Sequence, residues 1–216
     1  MKGIVMRHVL AAGAAIALAA VIIVISLTTS VSVEVVRAKP LASATVLVTV
    51  KGGSGSGVML EGGYILTAAH VARISPDAIM ISTDGGEDTV LVDVLWISNE
   101  YDLALLRIRD KAFVNTVTPA SIACRTARIG EDIRAEGNPM GVRFVTQWGK
   151  VGSKVQAIGH WLQAFSIGAP LAPGMSGGPV YDAGGWVVGI NVGVSPVGGF
   201  YIAVPSSTAC MLMGRA

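Results

Sequence analysis

Pro173-Gly174-Met175-Ser176-Gly177-Gly178-Pro179 is the stretch on which the reading of this chain turns. A nucleophilic serine needs a turn that exposes its hydroxyl while nearby backbone N–H groups point at the oxyanion that develops during attack, and glycines permit such a turn. The N–H groups of Gly174 and Ser176 are the natural donors. Taken alone, the stretch also fits a plain glycine-rich hairpin. Its meaning depends on which histidine and carboxylate the chain can supply, and in what order.

The stretch matches the G-x-S-x-G elbow of α/β-hydrolases, but that fold places its histidine after the serine, and His8, His70 and His160 all precede Ser176. The subtilisin order needs an aspartate before the histidine, and no Asp precedes His70. The order His, Asp, Ser remains. His70 lies in Leu66-Thr67-Ala68-Ala69-His70-Val71, where a strand runs into a helical turn and small residues leave room beside the imidazole. Asp102 opens the apolar run Leu103-Ala104-Leu105-Leu106-Arg107-Ile108, so its carboxylate is held at the mouth of a buried strand and requires a partner. A histidine N–H would satisfy it and fix the tautomer that accepts the serine proton. His160 is the competing base, but Ile158-Gly159-His160-Trp161 offers no small-residue frame, and the reading there is a surface or strand residue.

Composition is compatible with this chemistry and narrows little else. At 216 residues the chain has room for one good-sized domain, or two half-domains sharing an interface, plus a short appendage. The 16 basic and 14 acidic residues are interspersed, so neither a basic stripe for nucleic acid nor an acidic disordered tail is present. The 27 glycines favour short strands and tight turns over helices. Cys124 and Cys210 lack C-x-x-C spacing, so a zinc site or a thioredoxin-like motif has almost no support. Two unpaired buried thiols are the favoured reading and one disulfide the alternative. No cofactor or metal is called for.

Strands are expected at Ala44–Val50, Val58–Leu60, Tyr64–Thr67, Ala78–Ser82, Thr89–Ile97 and Leu103–Ile108, with Gly52–Gly57 as a glycine-rich turn and Ala68–Arg73 as a helical turn. Asp110–Arg128, with Pro119, reads as a connection. A second set follows at Ile133–Ala135, Phe144–Gln147, Val151–Val155, Trp161–Ile167, Val180–Tyr181, Trp186–Val192 and Phe200–Val204, and Pro205 opens a terminal helix to Met213. At the other end, Val9–Ile25 is an unbroken apolar run of 17 residues flanked by Lys2 and Arg7. No charged side chain occurs between Arg7 and Glu34, and that stretch is long enough to cross a bilayer, so residues 1–8 are expected in the cytoplasm, 9–30 as a transmembrane signal-anchor (a cleaved signal peptide being the rival) and 31–40 as a linker. Either way the domain at 41–213 is exported to the extracytoplasmic side.

The motifs together resemble the trypsin-like serine proteases, most closely the bacterial HtrA/Deg type. The matching segments, within residues 41–209, are Gly55-Ser56-Gly57-Val58; Tyr64-Ile65-Leu66-Thr67-Ala68-Ala69-His70-Val71; Tyr101-Asp102-Leu103-Ala104-Leu105-Leu106; Glu136-Gly137-Asn138-Pro139-Met140-Gly141; Gly174-Met175-Ser176-Gly177-Gly178-Pro179; Gly189-Ile190-Asn191; and Phe200-Tyr201-Ile202-Ala203-Val204-Pro205. The resemblance implies an all-β fold of two six-stranded antiparallel barrels, about 41–110 and 129–204, with a short C-terminal helix and the active site between the barrels. It further implies an endopeptidase acting on protein or peptide substrates through His70, Asp102 and Ser176, with Gly174, Met175 and Ser176 forming the oxyanion hole. The pocket would be walled by Ala169, Pro170, Leu171, Asn191, Val192, Gly193 and Tyr201; none is acidic, so small or aliphatic side chains are expected rather than Lys or Arg. Some secreted relatives join the elements that carry Cys124 and Cys210 by a disulfide. Two departures stand out: Met175 replaces the Asn usual in the HtrA group and the Asp of digestive trypsins, and no PDZ domain fits after residue 213. Trimeric assembly and peptide-gated control are therefore not carried over. A membrane-anchored trypsin-fold binding or scaffold protein with weakened chemistry, and an esterase using the same triad, are the competing functions.

Overall fold

A computed structural model describes residues 43–76, 79–83, 89–115, 117–195 and 198–214. Val9–Ile25 and the expected membrane span lie outside the described residues, and no described helix is long and apolar enough to cross a membrane.

The amino-terminal half is a closed barrel. Its strands are β1 (Thr45–Val50), β2 (Gly53–Leu60), β3 (Tyr64–Ala68), β4 (Met80–Thr83), β5 (Val90–Ser98) and β6 (Leu103–Ile108), hydrogen-bonded in the order β1-β2-β3-β6-β5-β4, with β4 returning to β1 through pairs such as Val48↔Ile81. Alternation places Val46, Val48, Val50, Ile65, Ile81 and Leu106 inside, each at most 4% exposed. Gly52–Gly57, expected as a turn, is mostly strand. A side chain at Gly57 would meet Ile65, Val46 and Val48 at 2.8–3.2 Å, so glycine is what lets β2 run through the barrel at this point. One helical turn, α1 (Ala69–Ala72), follows β3, and another, α2 (Lys111–Val114), follows β6, its first turn capped by the Asp110 carboxylate.

The second half corrects the expected closed six-stranded barrel. It is a seven-stranded antiparallel sheet of β7 (Asp132–Gly137), β8 (Val145–Lys150), β9 (Gln156–Ile158), β10 (Trp161–Ile167), β11 (Pro179–Asp182), β12 (Val187–Val194) and β13 (Tyr201–Pro205), in the order β8-β7-β11-β12-β13-β10-β9. The reason lies in β10, whose outer edge is divided. Its first residues pair with β9, while its end meets the chain leaving β8: Val151 bridges Ile167, Gly152 N donates to Ser166 O at 2.8 Å, and Gly168 N donates to Lys150 O at 2.7 Å. The sheet curls back on itself without a continuous ladder, and the strand expected at Val151–Val155 is reduced to that bridge.

The connection threads between the halves. Ala120 bridges Leu60, Ile122 bridges Val187, and Cys124 is disulfide-bonded to Cys210 in α3 (Ser206–Met213), with Cα atoms 5.6 Å apart. The favoured reading of two free thiols is thus corrected. The largest apolar cluster spans both halves: the barrel interior continues into Trp161, Tyr181, Val187, Ile190, Val192, Ile202 and Val204, while a smaller cluster around Phe165, Ile167 and Val188 fills the second sheet. A buried polar group also crosses the junction. Glu136 on β7 pairs with Arg134, accepts from Ser43 Oγ at 2.5 Å and from Thr45 Oγ1 at 2.6 Å, and Arg134 stacks 4.0 Å over the Tyr181 ring. Tyr181 OH in turn accepts the Ala44 N–H.

Candidate active site

Asp102 occupies the turn that opens β6, in a left-handed conformation (φ 54°) and only 5% exposed. A carboxylate so placed must be hydrogen-bonded. Its main-chain oxygen accepts the Ala69 N–H at 3.1 Å, which pins the turn against the start of α1. Its Oδ1 accepts the His70 main-chain N–H at 2.9 Å, and its Oδ2 lies 2.8 Å from His70 Nδ1. Trp161 Nε1 donates to the same Oδ2 at 3.1 Å. Burial alone would raise this carboxyl, but the bonds from His70 and Trp161 outweigh it, and the group sits below the ordinary carboxylate range. An ionised carboxylate can only accept, so His70 Nδ1 donates, and in the neutral imidazole Nε2 is then the acceptor.

The serine loop is pressed onto the corner that carries His70. Gly177 (φ 87°) lies so close to β3 that a side chain there would come within 2.8 Å of Ser56 O, Thr67 Oγ1 and Ala68 N. Ser176 O accepts the Ser56 N–H at 2.8 Å, and a side chain at Gly55 would meet both Ser176 O and the Val71 methyls. Gly55 and Gly57 are thus glycine because the serine loop, the residue after His70 and the barrel interior crowd β2 from three directions. The turn is tied by Met175 N to Ala172 O, Gly178 N to Met175 O and Gly177 N to Asn191 O. Among the described residues no acceptor meets the N–H of Gly174 or of Ser176. Met175, expected as a third donor, spends its N–H on Ala172, and its side chain is buried. Ser56 Oγ, which sequence reasoning did not single out, accepts from Asn138 N and Nδ2 at 2.9 and 3.0 Å and donates to Gly174 O at 2.7 Å, linking the barrel to the loop.

A cleft of about 350 Å³ opens beside this pair, lined by His70, Arg73, Asn99, Asp102, His160, Trp161, Val192, Gly193 and Val194. Of the expected pocket residues, Val192 and Gly193 reach it. Asn191 is fully buried and donates to Glu136 O at 3.1 Å; Ala169, Leu171 and Tyr201 belong to the smaller apolar cluster, and Pro170 is exposed. His160 is exposed on a turn, as expected, but it shares the cleft with His70 and stacks on Trp161 with ring centroids 4.0 Å apart. No group of three or more metal-binding side chains occurs among the described residues.

Residues 55–190 match the model of the trypsin-like peptidase domain. A probable periplasmic DegP-like serine endoprotease of Rhizobium meliloti is 33% identical over 163 residues, covering 72% of this chain and 31% of that protein. The chain therefore spans about a third of the length of the curated relatives it matches. The HtrA-type protease AlgW, solved with a tripeptide, superposes with a TM-score of 0.71 at 26% identity over 81% of this chain and 60% of its own. Rv3671c of Mycobacterium tuberculosis H37Rv, in an inactive form, has the same fold, with a TM-score of 0.68 at 19% identity over 80% of this chain and 85% of its own.

Proposed function

The chain belongs to the trypsin-like peptidase domain family, and we propose that it is a serine endopeptidase in which His70 is the general base, Asp102 its orienting acid and Ser176 the nucleophile. The observation that carries this reading is the buried Asp102 carboxylate bound to His70 Nδ1, beside a serine loop whose Gly174 and Ser176 N–H groups have no acceptor among the described residues.

In this reading His70 Nε2 takes the Ser176 hydroxyl proton as the oxygen adds to the scissile carbonyl. The imidazolium is stabilised by ionised Asp102, and the oxyanion is received by Gly174 and Ser176 N–H. His70 then protonates the leaving amine, and a water repeats the sequence on the acyl-enzyme. Val192 and Gly193 wall the substrate site beside His70, and the absence of a carboxylate among these and the other expected pocket residues favours small or aliphatic side chains. The run Val9–Ile25 anchors the chain in a membrane, with the domain on the extracytoplasmic side, in keeping with the periplasmic naming of the DegP-like relatives. Met175, one residue from the nucleophile, shapes the loop through its buried side chain.

A fluorophosphonate probe followed by peptide mapping tests the assignment: the label is expected on Ser176. Parallel assays on a denatured protein and on a simple ester then separate a peptidase from an esterase, and absence of labelling on a folded chain would support a binding protein instead.

A further inference from the structure

We infer that Trp161 is a positioning residue of the hydrolytic site, its indole N–H holding the Asp102 carboxylate in the orientation that serves His70. The inference rests on the roles given above to His70, Asp102 and Ser176.

Three observations carry it. First, Asp102 Oδ2 is shared between two donors, His70 Nδ1 at 2.8 Å and Trp161 Nε1 at 3.1 Å, while Oδ1 receives the His70 main-chain N–H. Among the described residues the other bonds to the carboxylate come from His70 itself, so without the indole none independent of His70 would fix its plane. Second, an indole N–H is a donor only and turns with a rigid bicycle, unlike a hydroxyl that can rotate to another acceptor. The bicycle is fixed: Trp161 is 5% exposed, opens β10 opposite Ile158, and carries the His160 ring on one side. Gly193 lies close enough that an added Cβ would come 3.2 Å from the indole, so the missing side chain at Gly193 makes room for the ring. Third, the donor crosses the molecule. Asp102 and His70 belong to the closed barrel, whereas Trp161 belongs to the open sheet, which also carries the loop of Ser176. The carboxylate is thus aligned against the half that holds the nucleophile, so seating of the two halves and orientation of the acid become one event.

The test uses the full chain and a small fluorophosphonate, whose reaction with Ser176 needs the machinery but no peptide contacts. Trp161→Phe is expected to slow inactivation by about 10- to 100-fold, the size of one lost hydrogen bond to a charged group. In an Asp102→Ala background the same change should have no further effect, because the residue acts through the carboxylate. Replacing Trp161 by 3-benzothienylalanine, which keeps the bicycle and loses only the N–H, should reproduce the loss, and it decides the case if the Phe variant fails to fold. Equal slowing by Trp161→Phe with and without Asp102, or full reactivity of the benzothienyl variant, overturns the inference. Failure of the underlying reading looks different: Ser176→Ala would then still be labelled, or Asp102→Ala would react as fast as the parent chain.

Discussion

The two halves of this molecule are held together by different means. The barrel of β1 to β6 closes by its own ladder and fills itself with Val, Ile and Leu. The sheet of β7 to β13 stays open, and its larger side chains face the barrel. What remains around Phe165 is a smaller cluster, supplemented by a disulfide and by buried or half-buried ions: Arg134 with Glu136, and Arg125 with Glu131 and Asp182. The difference teaches that the second half is completed by the first rather than self-contained. In the proposed assignment it also divides the chemistry, since His70 and Asp102 ride on the closed barrel while Ser176 rides on the open sheet.

The largest expected effects cut across that division. Ser176→Ala on the sheet side and His70→Ala on the barrel side should each lower kcat by about 10⁴- to 10⁶-fold with the fold intact, and combining them should cost hardly more, because the groups act as a unit. Steady-state kinetics with circular dichroism checks this, and a large loss from one change alone would break the assignment. Next in size is the buried charge of the second half. Glu136→Ala leaves the Arg134 guanidinium buried over Tyr181 without its carboxylate, and should destabilise by about 3–5 kcal/mol in urea titrations. Leu106→Ala inside the barrel should cost about 2–5 kcal/mol. If Glu136→Ala proved neutral, the open sheet would not depend on its ions.

Reducing the Cys124–Cys210 bond should come third, at about 2–4 kcal/mol, read as a lowered melting midpoint in dithiothreitol that Cys210→Ser reproduces and does not add to. Acid should act on both halves. The Arg125 guanidinium holds the Glu131 carboxyl low, and Asp102 is likewise held below its usual range. A carboxyl lowered in the fold contributes stability that is complete above its unfolded value near pH 4 and is lost as pH falls below that. Melting midpoints should therefore fall on acidification below about pH 4, and Glu131→Gln should flatten part of the decline. Smallest of all, His160→Ala should leave turnover within about threefold, since the ring is exposed and touches the machinery only through the face of Trp161. Abolished activity there, with His70→Ala still active, would exchange their roles.

Much of this architecture could be read before any coordinates. Leu103–Ile108 and Trp161–Ile167 agree with β6 and β10 to the residue, because an uninterrupted apolar or alternating run bounded by turn residues leaves one interpretation. His70 is legible from the order of His, Asp and Ser along the chain and Asp102 from the need of a carboxylate at the mouth of a buried strand for a partner, and the structure pairs the two. Gly53–Gly57 defeated the same logic. Glycine usually marks a turn, and only the crowding of β2 by the serine loop, Val71 and the barrel interior explains why it is needed inside a strand. The open second sheet was equally invisible, since it depends on how β10 divides its edge between two neighbours. So was the Trp161 bond to Asp102, which joins positions from different halves and carries no local signature.

The grip of Ser43, Ala44 and Thr45 on Glu136 and Tyr181 has a mechanical meaning. A pull entering the domain from its amino-terminal side first meets two short, charge-assisted bonds to Glu136 and one longer, neutral bond to Tyr181 at the seam. Such a seam is stiff under small tension and yields abruptly under large tension. Glu136 is followed directly by Gly137, whose Cα faces the Met175 backbone so closely that a side chain would come 2.8 Å from it. The residue next to the one that holds the first strand is therefore packed against the residue that precedes Ser176.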